Sequence, residues 1–120
     1  MRKLLKVTFE EEGIIVVEAP GALAAWEIIH KHKINVILSD LYMADYSGLD
    51  LLRNIRGRKI RIPVILLTGR PTEEALQQAR ELGAVSVLAK SGDLSPVKET
   101  VFQVLENLEL RPRSRGAGTA

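Results

Sequence analysis

Cysteine is absent from the 120-residue chain, which removes disulfides, thiolate metal ligation and cysteine nucleophiles together. Aromatic residues are scarce: two Phe, two Tyr and one Trp are too few for a platform on which single-stranded nucleic acid could stack. No apolar run approaches the roughly 18 residues that cross a bilayer. The opening Met-Arg-Lys-Leu-Leu-Lys is too charged and too short for a secretory core, so a cytoplasmic location is expected. A large charge of either sign is missing too. The formal charge of +2 comes from Arg111, Arg113 and Arg115 in an acid-free tail, without which the balance is slightly acidic. Nucleic acid and membrane are therefore not expected partners. What remains is globular: 46% apolar and 27% charged residues, in a length that suits one domain.

Periodicity organises that domain. Met1, Leu4, Leu5, Thr8 and Phe9 share one helical face, and Gly13 is positioned to stop the helix. A β-branched run over 14–18 predicts a strand, and a helix follows over 22–31 after the turn Pro20-Gly21. The unit then recurs. Strands are predicted over 35–39, 63–67 and 85–89. A Ser47/Asp50 capping box opens a helix that Gly57 ends, Thr72 caps the next helix, and Ser95 with Pro96 opens the last. Four short apolar strands alternating with helices predict an α/β fold with a parallel sheet covered on both faces. Residues 1–110 form the domain, and the aperiodic residues 111–120 are expected to be a flexible basic tail.

Right-handed crossovers place the carboxyl ends of all strands on one edge, where open α/β sheets carry their chemistry. The strand ends read Glu18, Ser39-Asp40, Thr68-Gly69 and Lys90. A carboxylate that can attack phosphorus, a hydroxyl that can donate and an ammonium that can neutralise charge suit phosphoryl transfer. His30 and His32 lie at the carboxyl end of a helix, where its dipole favours them as surface residues, and their spacing does not make a zinc site. Asp45 reads as a turn residue, and Trp26 as a partly buried helix residue.

At these residues the chain resembles the receiver domain of bacterial two-component response regulators, of the chemotaxis-regulator type. Val36-Ile-Leu-Ser-Asp-Leu-Tyr-Met-Ala-Asp-Tyr-Ser-Gly48 delivers an aspartate on a hydrophobic strand, followed by the family's methionine and glycine. Ile62-Pro-Val-Ile-Leu-Leu-Thr-Gly69 is similar to the strand that carries the family's switch hydroxyl, and Ala79 to Lys90 to the segment that carries its lysine. The resemblance implies a flavodoxin-like fold. It implies Asp40 as phosphoacceptor, with Thr68 bonding and Lys90 pairing with the phosphoryl group. Mg²⁺ would be held by Asp40 and the backbone of Tyr42. The implied partner is a sensor histidine kinase or a phosphotransfer protein, and the implied output is protein–protein contact with no enzymatic turnover beyond self-catalysed phosphotransfer.

The chain departs from the family at Ala44 and Ser91, where proline is usual, and at Val87, where many members carry an aromatic. The family's first strand and its acidic pair have no counterpart, and Glu10, Glu11 and Glu12 sit at a helix end. Impaired Mg²⁺ binding and slow phosphoryl uptake are therefore expected. In the family's strand order the absent strand lies between 14–18 and 35–39. Its loss predicts either direct pairing of those two segments or self-association through a partner chain's strand edge or helix face. The alternative function is a degenerate, non-phosphorylated receiver acting as an interaction or dimerisation module. A small flavin-binding protein of similar topology is the weakest reading, because no glycine-rich phosphate loop follows a first strand.

Overall fold

Val-Ile-Leu-Leu-Thr carries no polar side chain before its last residue, and all five residues are buried as the central strand β2 (Val64–Thr68). The structure, a computed structural model, describes residues 2–41, 47–70 and 72–108. Strand β1 (Ile37–Asp40) pairs parallel with β2 on one side, and β3 (Ser86–Ala89) pairs parallel on the other. The alternation of side chains along β2 then divides the core. Ile65 and Leu67 face α1 (Arg2–Glu10) and α5 (Ser95–Asn107), whereas Val64 and Leu66 face α3 (Gly48–Gly57) and α4 (Glu73–Glu81), with α2 (Ala22–Lys31) beside them. This is the expected α/β sandwich of helices on both faces of a parallel sheet.

Local chemistry sets most of the helix ends. Ser47 Oγ accepts the Asp50 N–H at 3.0 Å, and Thr72 Oγ1 accepts the Ala75 N–H at 3.1 Å. Gly13, with φ of 85°, follows α1 in the left-handed region that glycine enters without strain. Two expectations shift slightly. Gly57 is the last residue of α3, and the left-handed position falls two residues later, on Lys59. Ser95 begins α5 rather than capping it; its N–H donates to Asp93 Oδ1 at 3.0 Å. That hydrogen bond holds the Asp93 carboxyl below its ordinary 3.8. None of the helices among the described residues is long and apolar enough to cross a membrane. The basic tail over 111–120 lies outside the described residues.

The larger difference concerns residues 14–18, where no regular strand forms. Their side chains keep a strand-like alternation: Ile14 is buried and Val16 half-buried, while Ile15 and Val17 are exposed. A ladder needs a neighbouring strand, however, and the sheet order is β1-β2-β3. Ile15 makes an isolated β-bridge, but among the described residues no ladder joins the segment to β1. A groove of about 550 Å³ separates the two instead, with Leu5 and Phe9 of α1 on one face and Ala25 and Ile29 of α2 on the other.

Candidate functional site

All three strands run parallel, so their carboxyl ends deliver Asp40, Thr68 and the residue after Ala89, Lys90, to one edge. The register is tight. Asp40 lies opposite Leu67, Thr68 lies opposite Ala89, and the Lys90 N–H donates to the Thr68 carbonyl at 2.8 Å. Across this edge Lys90 Nζ reaches Asp40 Oδ1 at 3.2 Å. The two side chains are 38% and 39% exposed, which leaves the carboxylate open to an incoming group while its charge is balanced. Thr68 is buried at 2% exposure, and its Oγ1 accepts the Arg70 N–H at 3.1 Å. The hydroxyl keeps its own proton for a further acceptor.

The backbone around Asp40 is held from several directions. Ser39 Oγ donates to the Asp40 carbonyl at 3.0 Å. Leu41, wholly buried, donates its N–H to Leu67 and accepts the Gly48 N–H, at 2.7 and 2.6 Å. Gly48 is there because nothing larger fits: a Cβ at this position would collide with the Asp40 carbonyl oxygen, with Leu66 Cδ2 at 3.1 Å and Leu41 Cα at 3.2 Å behind it. Gly48→Ala is therefore expected to cost about 1–3 kcal/mol, as overpacking against backbone does. It should also displace the Asp40 carboxylate, which thermal denaturation and phosphoryl-uptake assays on one preparation would show together. Neither Ser39 nor Arg70 has a motif that marks it in the sequence. Gly48 does have one, through its place after the aspartate strand.

The other candidates make contacts of their own. Glu18 lines the same groove as Asp40 and Lys90, and pairs there with Lys6 of α1 at 3.7 Å. His30 Nδ1 lies 2.8 Å from the Trp26 carbonyl oxygen on an exposed helix end, and the Trp26 ring, half-buried, carries the Arg58 guanidinium at 5.7 Å. Val87 is half-buried on β3. Tyr42, Ala44 and Asp45 lie outside the described residues. Among the described residues no three His, Asp or Glu side chains gather where they could hold a metal ion. Asp40 is the carboxylate that the strand ends bring to Lys90, and Glu18, on the same groove, is engaged by Lys6. Asp40 would give Mg²⁺ one carboxylate, the least by which an ion that takes one or two and keeps several waters is held.

Comparison with known proteins gives a consistent answer. The family profile "Response regulator receiver domain" matches residues 1–102. Sporulation initiation phosphotransferase F of Bacillus subtilis is 28% identical over 105 residues, covering 88% of this chain and 85% of that protein. Response regulator protein PilR of Pseudomonas aeruginosa is 30% identical over 105 residues, and there the match covers 88% of this chain but 24% of the larger protein. Among solved structures, response regulator protein TrrA of Thermotoga maritima, in complex with Mg²⁺-BeF, superposes with a TM-score of 0.77 at 27% identity, covering 87% of this chain and 89% of that one. The strand-end aspartate and lysine in contact, the parallel sheet that brings them together and a profile match over most of the length lead to one assignment: the chain belongs to the response regulator receiver domain family.

Proposed function

We propose that this receiver domain takes a phosphoryl group onto Asp40 and signals through protein–protein contacts. The observation that carries the reading is the contact of 3.2 Å between Lys90 Nζ and Asp40 Oδ1 at the carboxyl edge of the sheet. An Asp40 carboxylate oxygen attacks the phosphorus of a phosphohistidine on a sensor kinase or phosphotransfer protein. The P–N bond breaks, the imidazole leaves with the electron pair and takes up a proton, and Asp40 becomes an acyl phosphate. Lys90 then transfers its ion pair from the carboxylate to a phosphoryl oxygen, and the Thr68 hydroxyl donates to another.

The partner reading is supported by the similarity to a sporulation phosphotransferase, which the chain spans nearly end to end. Mg²⁺ would supply charge neutralisation on the phosphoryl oxygens, with Asp40 and the Tyr42 backbone as its protein ligands. Among the described residues no three carboxylate or imidazole groups gather around Asp40, so uptake is expected to be slow and only weakly Mg²⁺-dependent. The domain acts in the cytoplasm, beside its kinase. Self-association is supported by the exposed Leu4 and Val7 on α1 and by Ile15 and Val17 after it. Sedimentation at micromolar concentration should show a species larger than the monomer, and a strict monomer would refute that part.

The test of the phosphoacceptor is transfer from a radiolabelled phosphohistidine protein to the wild-type chain and to Asp40→Asn. Label on the wild type and none on the variant is expected. Equal labelling of both would place the acceptor elsewhere, and no labelling of either would favour the non-phosphorylated interaction module.

A further inference from the structure

Positive charge in this domain is gathered at one end. Residues 28–39 and 51–72 contain no acid, and their cations include Lys31, Lys33, Arg58, Lys59 and Arg61, all exposed, although the domain over 1–110 is slightly acidic as a whole. The fold brings the two stretches together. α2 leads to the amino end of β1 and α3 to the amino end of β2, and those strand starts are neighbours, with Ile37 paired to Val64. The carboxyl ends of α2 and α3 therefore meet at the edge of the sheet opposite Asp40. Side chains join them there: the Arg58 guanidinium lies over the Trp26 ring at 5.7 Å, and the ring centroids of Trp26 and His30 are 4.6 Å apart.

Between the two helices, bordering this basic end, is a cleft of about 560 Å³. Its floor is apolar. Leu51 is buried, the Trp26 ring is half-buried, and Leu23 on the rim is 69% exposed, more than any other large apolar side chain among the described residues. Two arginines line it, and they differ. Arg53 is engaged by Asp50 at 2.7 Å, whereas Arg58 makes no ion pair among the described residues and rests on the Trp26 ring.

We infer that this cleft is a docking site for an acidic segment of a partner protein, one that carries a large apolar side chain beside its carboxylates. Each part of that description comes from a wall. The apolar floor follows one turn of α2, from Ala22 to Trp26, about 6 Å, which suits one or two apolar anchors. Arg58 and the cations around it call for carboxylates on the side toward the strand starts. A purely apolar partner would take water from Arg58 and give it no counter-charge, which is a loss. Nucleic acid would engage the cations but leave Leu23 in water. The chain's own tail is the wrong chemistry, since residues 110–120 carry three arginines and no acid. The cleft lies at the opposite edge from Asp40, so the inference is independent of phosphoryl transfer and its test uses no phosphoryl donor.

The experiment titrates the full chain with a fluorescein-labelled peptide, Ser-Asp-Glu-Leu-Glu-Asp-Phe-Glu-Ser, and follows anisotropy and backbone NMR shifts. The control probes are the same peptide with Leu and Phe replaced by Ser, and a single-stranded oligoribonucleotide of equal charge. Saturable one-to-one binding is expected, with shifts centred on residues 22–33 and 51–61 and with affinity that falls as salt is added. Leu23→Gln and Arg58→Glu, both at exposed positions where Tm should hardly change, should each weaken binding by about tenfold or more. Leu108→Ser, exposed just after α5, should leave it unchanged. Absence of saturable binding, equal binding of the Ser-substituted peptide, or shifts centred on another face would overturn the proposal. So would tighter binding of the oligoribonucleotide, which would assign the basic end to nucleic acid.

Discussion

Arg56→Met is expected to lower the stability of the domain by about 2–3 kcal/mol, the largest single effect outside the apolar core. Its guanidinium donates from Nε to the Leu82 carbonyl at 3.2 Å, from Nη1 to Ile60 and Ile62 at 3.0 and 3.1 Å, and from Nη2 to Gly83 at 3.2 Å. One side chain thus ties the end of α3 to the loop that feeds β2 and to the turn between α4 and β3. Burial draws its pKa down from the ordinary arginine value, but guanidinium remains charged throughout the accessible range. Methionine would fill part of the volume and leave four carbonyls without their donor. Arg56→Lys should recover little, because one ammonium cannot span the fork. Urea denaturation measures the loss; a shift under about 0.5 kcal/mol, the scale of an ordinary surface change, would show that the clamp is dispensable.

Lys90→Met should separate stability from chemistry. The Asp40–Lys90 pair is nearly two-fifths exposed on each side, and pairs of that kind contribute about 0–1 kcal/mol. Folding should therefore change little. Phosphoryl uptake should fall by about a hundredfold or more, the usual consequence of removing one preorganised group from a developing charge. The same preparation, tested by denaturation and by uptake from acetyl phosphate, gives both numbers. A large stability loss with unchanged uptake would make Lys90 a structural residue instead.

Sequence patterns carried the elements whose signal is local. Ser47 with Asp50 and Thr72 before two glutamates mark helix starts by chemistry confined to a few residues, and the structure has both caps where expected. The central strand was legible because burial on both faces leaves an unbroken apolar run, and Asp40, Thr68 and Lys90 because parallel strands end on one edge. Residues 14–18 were not legible in the same way. Ile-Ile-Val-Val has high strand propensity, yet a strand is a pairing, and whether a neighbour is within reach is a property of the whole fold. Arg56 was invisible for a related reason: its carbonyl partners at 82 and 83 lie 26 and 27 residues away. Nor does anything in the local sequence around Ser39 announce that its hydroxyl steadies the Asp40 carbonyl.

The account rests on Asp40 as the residue that receives the phosphoryl group, and one chemical mapping tests that most directly. The full chain is incubated with acetyl phosphate, the acyl phosphate is reduced with borohydride, and the modified peptide is sequenced by mass spectrometry. Reduction confined to position 40, lost in Asp40→Asn and diminished in Lys90→Met, is the predicted result. Modification at any other carboxylate, or a chain that remains unmodified after prolonged exposure to excess donor while fully folded, would contradict it.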